Sequence, residues 1–144
     1  MWTEDKIHDY LKKNINEARY IHTLGVVETA IKLAKMNNVD EEKAKIAALI
    51  HDMAKCMPKD KQFEILKNNG VKMDKYLLNS PQILHGAVGA ILAKEIMGIE
   101  DIDILRCANK EAREIVQNKN QESKKICYEI SRGLENTRKY ICFN

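Results

Sequence analysis

No aspartate follows Asp103 in this chain of 144 residues, and no histidine follows His85. Polar ligands of these two kinds must come from the first part of the chain. Proline is scarce: Pro58 and Pro81 are the two present, and both stand at boundaries rather than inside apolar-periodic segments. The four cysteines, Cys56, Cys107, Cys127 and Cys142, show no CxxC spacing. That predicts reduced thiols in a cytosolic protein. No apolar run is long enough to span a bilayer, and the polar start MWTEDKIHDY does not read as a signal peptide. A cytoplasmic protein with no membrane partner is expected. Strand-like alternation, internal repeats and low-complexity tracts are also lacking. The formal net charge is +3. This mild lysine excess suits a phosphate-bearing substrate but is far from the dense basic stripe of a nucleic-acid binder.

What is present is helix after helix, and the spacing predicts one all-α domain over residues 1–144. Thr3 caps a first helix with Ile7, Tyr10, Leu11 and Ile15 on one face. A second helix runs from Glu17 or Ala18 to about Met36, with Leu24, Val27, Ile31 and Ala34 as its apolar set and Val26, Ala30 and Leu33 alongside. Asp40 caps a third, whose Ala44 and Ile46–Ile50 are apolar nearly all round, so this helix is expected at the centre. Residues 59–68 form a short amphipathic helix built on Phe63, Ile65 and Leu66 and closed by Asn69-Gly70. A loop or short helix through Met73–Asn79 follows. Ser80 then caps PQILHGAVGAILAKEIM, with Pro81 in its first turn and Gly98 beyond its end. Asp101 opens the next helix through Ile102, Ile104 and Leu105. A polar stretch over 109–123 precedes a last helix with Ile126, Ile130, Leu134 and Ile141.

The central helix ends in His51-Asp52, an unusual place for two polar groups unless something satisfies them. His22 lies on the second helix with Arg19 three residues before it, on the same side. At a helix end the last turn can open and direct both His51 and Asp52 toward one ion. His22, His51 and Asp52 then form an open site for a hydrated divalent metal, and imidazole nitrogen with carboxylate oxygen suits iron(II), manganese, zinc or nickel. Such a site turns bound water into a nucleophile at neutral pH. A lone histidine on an apolar face is usually structural; the joint occurrence of these residues argues otherwise. Lys55, four residues after His51, can reach the mouth of the site as a point charge for phosphate, or can serve the helix C-terminus. His85, framed by Gly86, Ala87, Gly89 and Ala90, can orient a ligand, contact phosphate or act as a general acid. His8 is assigned no role, and Trp2 and Tyr20 read as packing residues.

With RYIHTLGV, LIHDMAK and SPQILHGAVGA together, the chain resembles the HD-domain phosphohydrolase superfamily. More closely it is similar to the YqeK family of symmetrical bis-nucleosyl tetraphosphatases, throughout residues 1–108. The resemblance implies an HD helical bundle holding iron first, with manganese or another transition metal as alternatives. It implies hydrolysis of diadenosine tetraphosphate to two ADP, so a nucleotide substrate is the expected partner. By position it makes His22, His51 and Asp52 metal ligands, gives Arg19 and His85 contacts to the nucleotide phosphates, and places Lys55 at the same pocket. Lys55 and His85 are the candidate charge stabilisers around a metal-bound water.

The chain departs from that pattern after about residue 108. In the family a His-Thr-Thr-Gly type of segment follows the helix that here reads DIDILRCA, and a later Ala-Asp motif completes the metal shell. Here Cys107-Ala108 runs directly into NKEAREIV, as though an internal block were deleted, leaving 109–144 as shortened carboxy-terminal helices. Glu111 or Glu114 is available as a substitute oxygen ligand. A bundle so shortened is expected to expose apolar surface, with a homodimer as one outcome. Two enzymatic expectations follow: an active phosphohydrolase, or a degenerate relative that binds metal or nucleotide with little turnover. A helical interaction module is the non-enzymatic alternative.

Overall fold

The computed structural model of the chain describes residues 1–71 and 81–108, with the side chains of 81–83 left aside. Six helices make up the described part: α1 (Glu4–Asn14), α2 (Glu17–Met36), α3 (Glu41–Ile50), α4 (Lys59–Asn68), α5 (Pro81–Glu95) and α6 (Ile102–Ala108). No strand occurs among the described residues, so the all-α reading holds. The Met73–Asn79 segment, the Ser80 cap, the joint after residue 108, Glu111, Glu114, Cys127, Cys142 and the last helix lie outside the described residues.

Local chemistry sets the helix starts. Thr3, Asn16 and Asp40 each stand in extended backbone before a helix, and each side-chain oxygen accepts the N–H three residues on: Lys6, Arg19 and Lys43. Each cap satisfies one of the four orphan N–H groups of a helix start. Gly70 and Gly98 take positive φ, +69° and +65°, where a Cβ would be strained. They release the chain after α4 and α5, as the sequence suggests.

α3 is the central element. It packs against α2, α6, α1 and α5, and Ala44 and Ile46–Ile50 are all buried. Two clusters meet on it. Ile7, Leu11, Leu49, Ile50, Met53, Met97 and Ile99 form the larger, with Trp2 and Tyr10 packed against it. Val26, Ala30, Ala34, Ala44 and Ala48 form a second between α2 and α3. Small side chains on both helices let these two backbones approach closely. A third cluster, Ala54, Leu66, Leu84 and Val88, joins α4 to α5.

Two expected faces are corrected. On α2 the buried residues are Thr23, Val26, Ala30 and Ala34, while Leu24 is exposed. The buried stripe is rotated by about one residue from the expected Leu24–Val27–Ile31–Ala34 set. α2 carries apolar residues on more than one side, so periodicity alone leaves its rotation open. The alanine contact with α3 and the polar partners of Arg19 and His22 select it. On α4, Gln62 is buried with Leu66, whereas Phe63 and Ile65 are partly buried.

Asp101 ties α6 to α3. Its Oδ1 accepts the N–H groups of Asp103 and Ile104, at 2.9 and 3.4 Å. Its Oδ2 lies 2.9 Å from the Lys43 ammonium. Partial burial pushes the carboxyl upward, but Lys43 and the two backbone N–H groups together hold it below its ordinary range. Asp101→Ala should cost about 1–2 kcal/mol, mostly the lost cap, because the ion pair is partly solvated. The cost is fully present above about pH 4, the unfolded carboxyl value, and shrinks as pH falls through the lowered native value. Urea unfolding of both chains at pH 7 and pH 3 measures it.

Candidate metal centre

α3 stops at Ile50, and His51 is its C-cap with helical backbone angles. Beyond it the chain tightens into successive three-residue turns: Met53 N–H donates to Ile50 O, Lys55 N–H to Asp52 O, and Met57 N–H to Ala54 O. This tightening supplies partners for the last carbonyls of α3. It also turns two adjacent side chains, which on an α-helix would diverge by about 100°, toward one point. His51 Nε2 lies 3.4 Å from Asp52 Oδ2.

α2 brings two more groups to the same oxygen. Arg19 donates through a terminal nitrogen to Asp52 Oδ2 at 2.9 Å, and His22 Nε2 lies 3.8 Å from it. Thr23, wholly buried beside them, donates its hydroxyl to Arg19 O. α5 supplies the last member, with His85 Nε2 at 3.2 Å from the other carboxylate oxygen, Oδ1. Gly89 faces the end of α3, where a Cβ would just touch Ile50 O and Met53 Cγ, each at 3.4 Å. A larger side chain would wedge α5 off the end of α3 and carry His85 with it.

Asp52 is thus the hub of the site, 3% exposed and surrounded by one guanidinium and three imidazoles. Burial raises the pKa of its carboxyl. The hydrogen bonds and charges of His51 and His85 outweigh that and hold it far below the usual carboxylate range. The group is an anion at any ordinary pH.

His51 has a defined tautomer. Its Nδ1 lies 2.6 Å from Ala48 O, and a carbonyl can only accept, so Nδ1 carries a proton and Nε2 is the nitrogen left to donate to Asp52 or, deprotonated, to ligate a cation. Outer hydrogen bonds of this type orient metal-bound imidazoles in general. One donor atom each from His22, His51 and Asp52 lies within 4.8 Å of the others. An ion held at ~2.1 Å from each donor requires spacings of no more than ~4.2 Å. Both Asp52–histidine distances already satisfy that limit, so the trio fits a divalent cation with little contraction.

The six candidate residues do not all stand alike. His22, His51 and Asp52 share one point, with Arg19 and His85 one hydrogen-bond distance beyond, both on the Asp52 carboxylate. Arg19 has donors to spare for a second acceptor. Lys55 follows in the turn, partly buried, and no ion pair engages its ammonium among the described residues. Ile21 and Leu24, on either side of His22 in the chain, are exposed. His8 bonds the Tyr20 hydroxyl at 2.9 Å and lies 3.7 Å from Glu4, away from the hub. One residue escapes sequence reasoning: Gln62, whose buried amide bonds the turn behind Asp52. Its signal was a polar residue one turn before Leu66 on the apolar side of a short helix.

Comparison with known proteins agrees with this geometry. The sequence profile of the HD domain family matches residues 19–137, which begins at Arg19 and includes every member of the site. A relative from Bacillus subtilis (strain 168), named symmetrical bis(5'-nucleosyl)-tetraphosphatase, is 44% identical over 66% of this chain and 50% of its own. A protein of the same name from Halalkalibacterium halodurans is 40% identical over 67% of this chain and 51% of its own. The chain therefore spans about half the length of the curated relatives it matches. A crystal structure of a predicted HD superfamily hydrolase involved in NAD metabolism, from Clostridium acetobutylicum, superimposes with a TM-score of 0.74 at 34% identity. That match covers 99% of this chain and 88% of the other. With the paired His51-Asp52 at the end of the central helix, His22 facing it from α2, and the profile running through all of them, the chain belongs to the HD domain family.

Proposed function

We propose that the chain is a metal-dependent phosphohydrolase acting on diadenosine tetraphosphate, cleaved symmetrically to two ADP. The observation that carries this reading is the convergence of His22, His51 and Asp52, donor atoms within 4.8 Å of one another, with Arg19 and His85 on the same carboxylate. The names of the tetraphosphatase relatives supply the substrate class. Iron is the proposed metal, with manganese the first alternative, because two imidazoles and one carboxylate suit either. A divalent cation in this place polarises a phosphoryl oxygen and acidifies water. Neither the exposed Cys56 nor the partly buried Cys107 is in a disulfide among the described residues, which suits a cytoplasmic setting.

The chain's own residues divide the remaining work. Water adds to one of the two central phosphorus atoms, and the P–O bond to the bridging oxygen between them breaks, leaving one ADP on each side. Negative charge develops on that bridging oxygen. Arg19 presents donors beyond the one held by Asp52, and Lys55 offers an ammonium with no ion-pair partner among the described residues. Both would stabilise that charge electrostatically in a partly desolvated site. His85, whose Nε2 faces Asp52 Oδ1, would deliver a proton to the leaving phosphate from its other ring nitrogen. Asp52 remains an anion throughout and orients three imidazoles.

A second reading has an observation of its own: no aspartate follows Asp103 and no histidine follows His85. Without a late ligand of either kind, the chain would bind metal or nucleotide and turn over slowly. One assay separates the two. The purified chain, supplied with iron(II) or manganese, is given diadenosine tetraphosphate, and the adenine nucleotides are resolved by chromatography. Two ADP per substrate, lost on chelation, are expected. AMP with ATP overturns the symmetric cleavage, and bound metal without any product favours the second reading.

A further inference from the structure

We propose that Gln62 is the positioning residue of Lys55 and thereby governs how tightly the site holds a polyphosphate, an inference that rests on the reading of Lys55 as a phosphate contact. α4 begins after Pro58, whose side chain caps nothing. Gln62, in the first turns of α4, reaches back instead. Its Nε2 donates to Ala54 O at 3.2 Å and to Met57 O at 2.8 Å. Those carbonyls bracket Lys55 and Cys56. The amide therefore closes the turn that presents Lys55.

The orientation of this amide is set by its acceptors. Reversed, its oxygen would face two carbonyl oxygens. With Nε2 committed to the turn, Oε1 is left buried without a hydrogen-bond partner among the described residues. Gln62 is 4% exposed, in a helix whose other buried residue is Leu66. A methionine of the same length would leave no orphaned amide oxygen, but it would also take from Ala54 O and Met57 O the donor that the amide supplies. What the amide adds is the conformation of residues 54–57. Asp52 has four side-chain partners of its own, from α2, α3's end and α5. Lys55 has its backbone bond to Asp52 O and, among the described residues, no ion pair on its ammonium. Loosening this turn therefore falls on Lys55 and spares the metal trio.

The test uses the full chain loaded with manganese and ADP as the probe. ADP affinity is measured by calorimetry for the wild type, Gln62→Met, Lys55→Met and the double variant, with manganese affinity and thermal unfolding recorded for each. Gln62→Met should weaken ADP binding roughly tenfold, as loss of one oriented charged hydrogen bond does. It should leave manganese affinity within about twofold and add nothing in the Lys55→Met background, since coupled residues are non-additive. Gln62→Leu is read the same way should Gln62→Met not fold. Equal losses of ADP affinity in both backgrounds, unchanged ADP affinity, or a parallel fall in manganese affinity would each overturn the proposal. A wild-type chain that binds manganese but no ADP, or Lys55→Met with undiminished ADP binding, overturns the phosphate reading and this inference with it. ADP binding weakened by Lys55→Met but not by either Gln62 variant overturns this inference alone.

Discussion

Asp52→Asn should abolish metal binding while leaving the helices in place. The amide is isosteric, but it removes the anionic charge and leaves one acceptor oxygen where the carboxylate offers two to Arg19, His22, His51 and His85. A metal ligand lost outright costs more than an outer partner, whose removal costs about 10–100-fold in affinity, so a fall of at least about 100-fold is expected. Turnover should drop in step, because positioning by Arg19 and His85 without the cation leaves the phosphoryl group unpolarised. The metal-free fold should lose about 2 kcal/mol. That is less than the 3–5 kcal/mol typical of breaking a fully buried pair, because the Arg19 side chain is 31% exposed and can be rehydrated. Manganese titration and chemical unfolding of the apo-chain separate the two effects. Asp52→Asn that binds manganese as the wild type does would remove Asp52 from the ligand set.

Leu49→Ala and Leu24→Ala, the same chemical change on neighbouring helices, should differ severalfold in cost. Leu49 is fully buried in the largest cluster, one residue from the end of α3. Its truncation leaves a cavity within that cluster and should cost about 2–5 kcal/mol. Leu24 is 41% exposed, and its truncation should cost no more than about 0.5 kcal/mol. Urea midpoints at constant slope decide it. Comparable losses would mean that α2 buries the face its periodicity first suggested. Leu49→Ala should also loosen the metal site, because His51 and Asp52 follow Leu49 by two and three residues and inherit any shift of the α3 terminus.

Much of the architecture was readable from local rules. Thr3 and Asp40 announce their helices by side-chain geometry that needs no distant partner, and so does Asp101. Gly70 and Gly98 stand where backbone of positive φ is required. α3, apolar nearly all round, could pack nowhere but the centre. The HD pair was conspicuous for the same reason, since polar groups ending a buried helix need partners. Less legible was the rotation of α2, where Leu24 and Val26 are equally apolar and only contact with Ala44 and Ala48 chooses between them. Gln62 was hard to see because its one mark of burial, a place one turn before Leu66, is weak in a short helix rich in charged residues.

Helix boundaries, the all-helical class and the choice of His22, His51 and Asp52 followed from residue order alone, because caps, periodicity and a polar pair at a buried terminus act within a few residues of chain. Tertiary structure decided that Arg19 and His85 meet on opposite oxygens of Asp52, that α2 turns Thr23 rather than Leu24 inward, and that Gln62 closes the turn beneath Lys55. The first two depend on the relative placement of helices far apart in the chain, which packing sets once small residues such as Ala48 allow the backbones to close; the third depends on how α4 folds back on the turn before it.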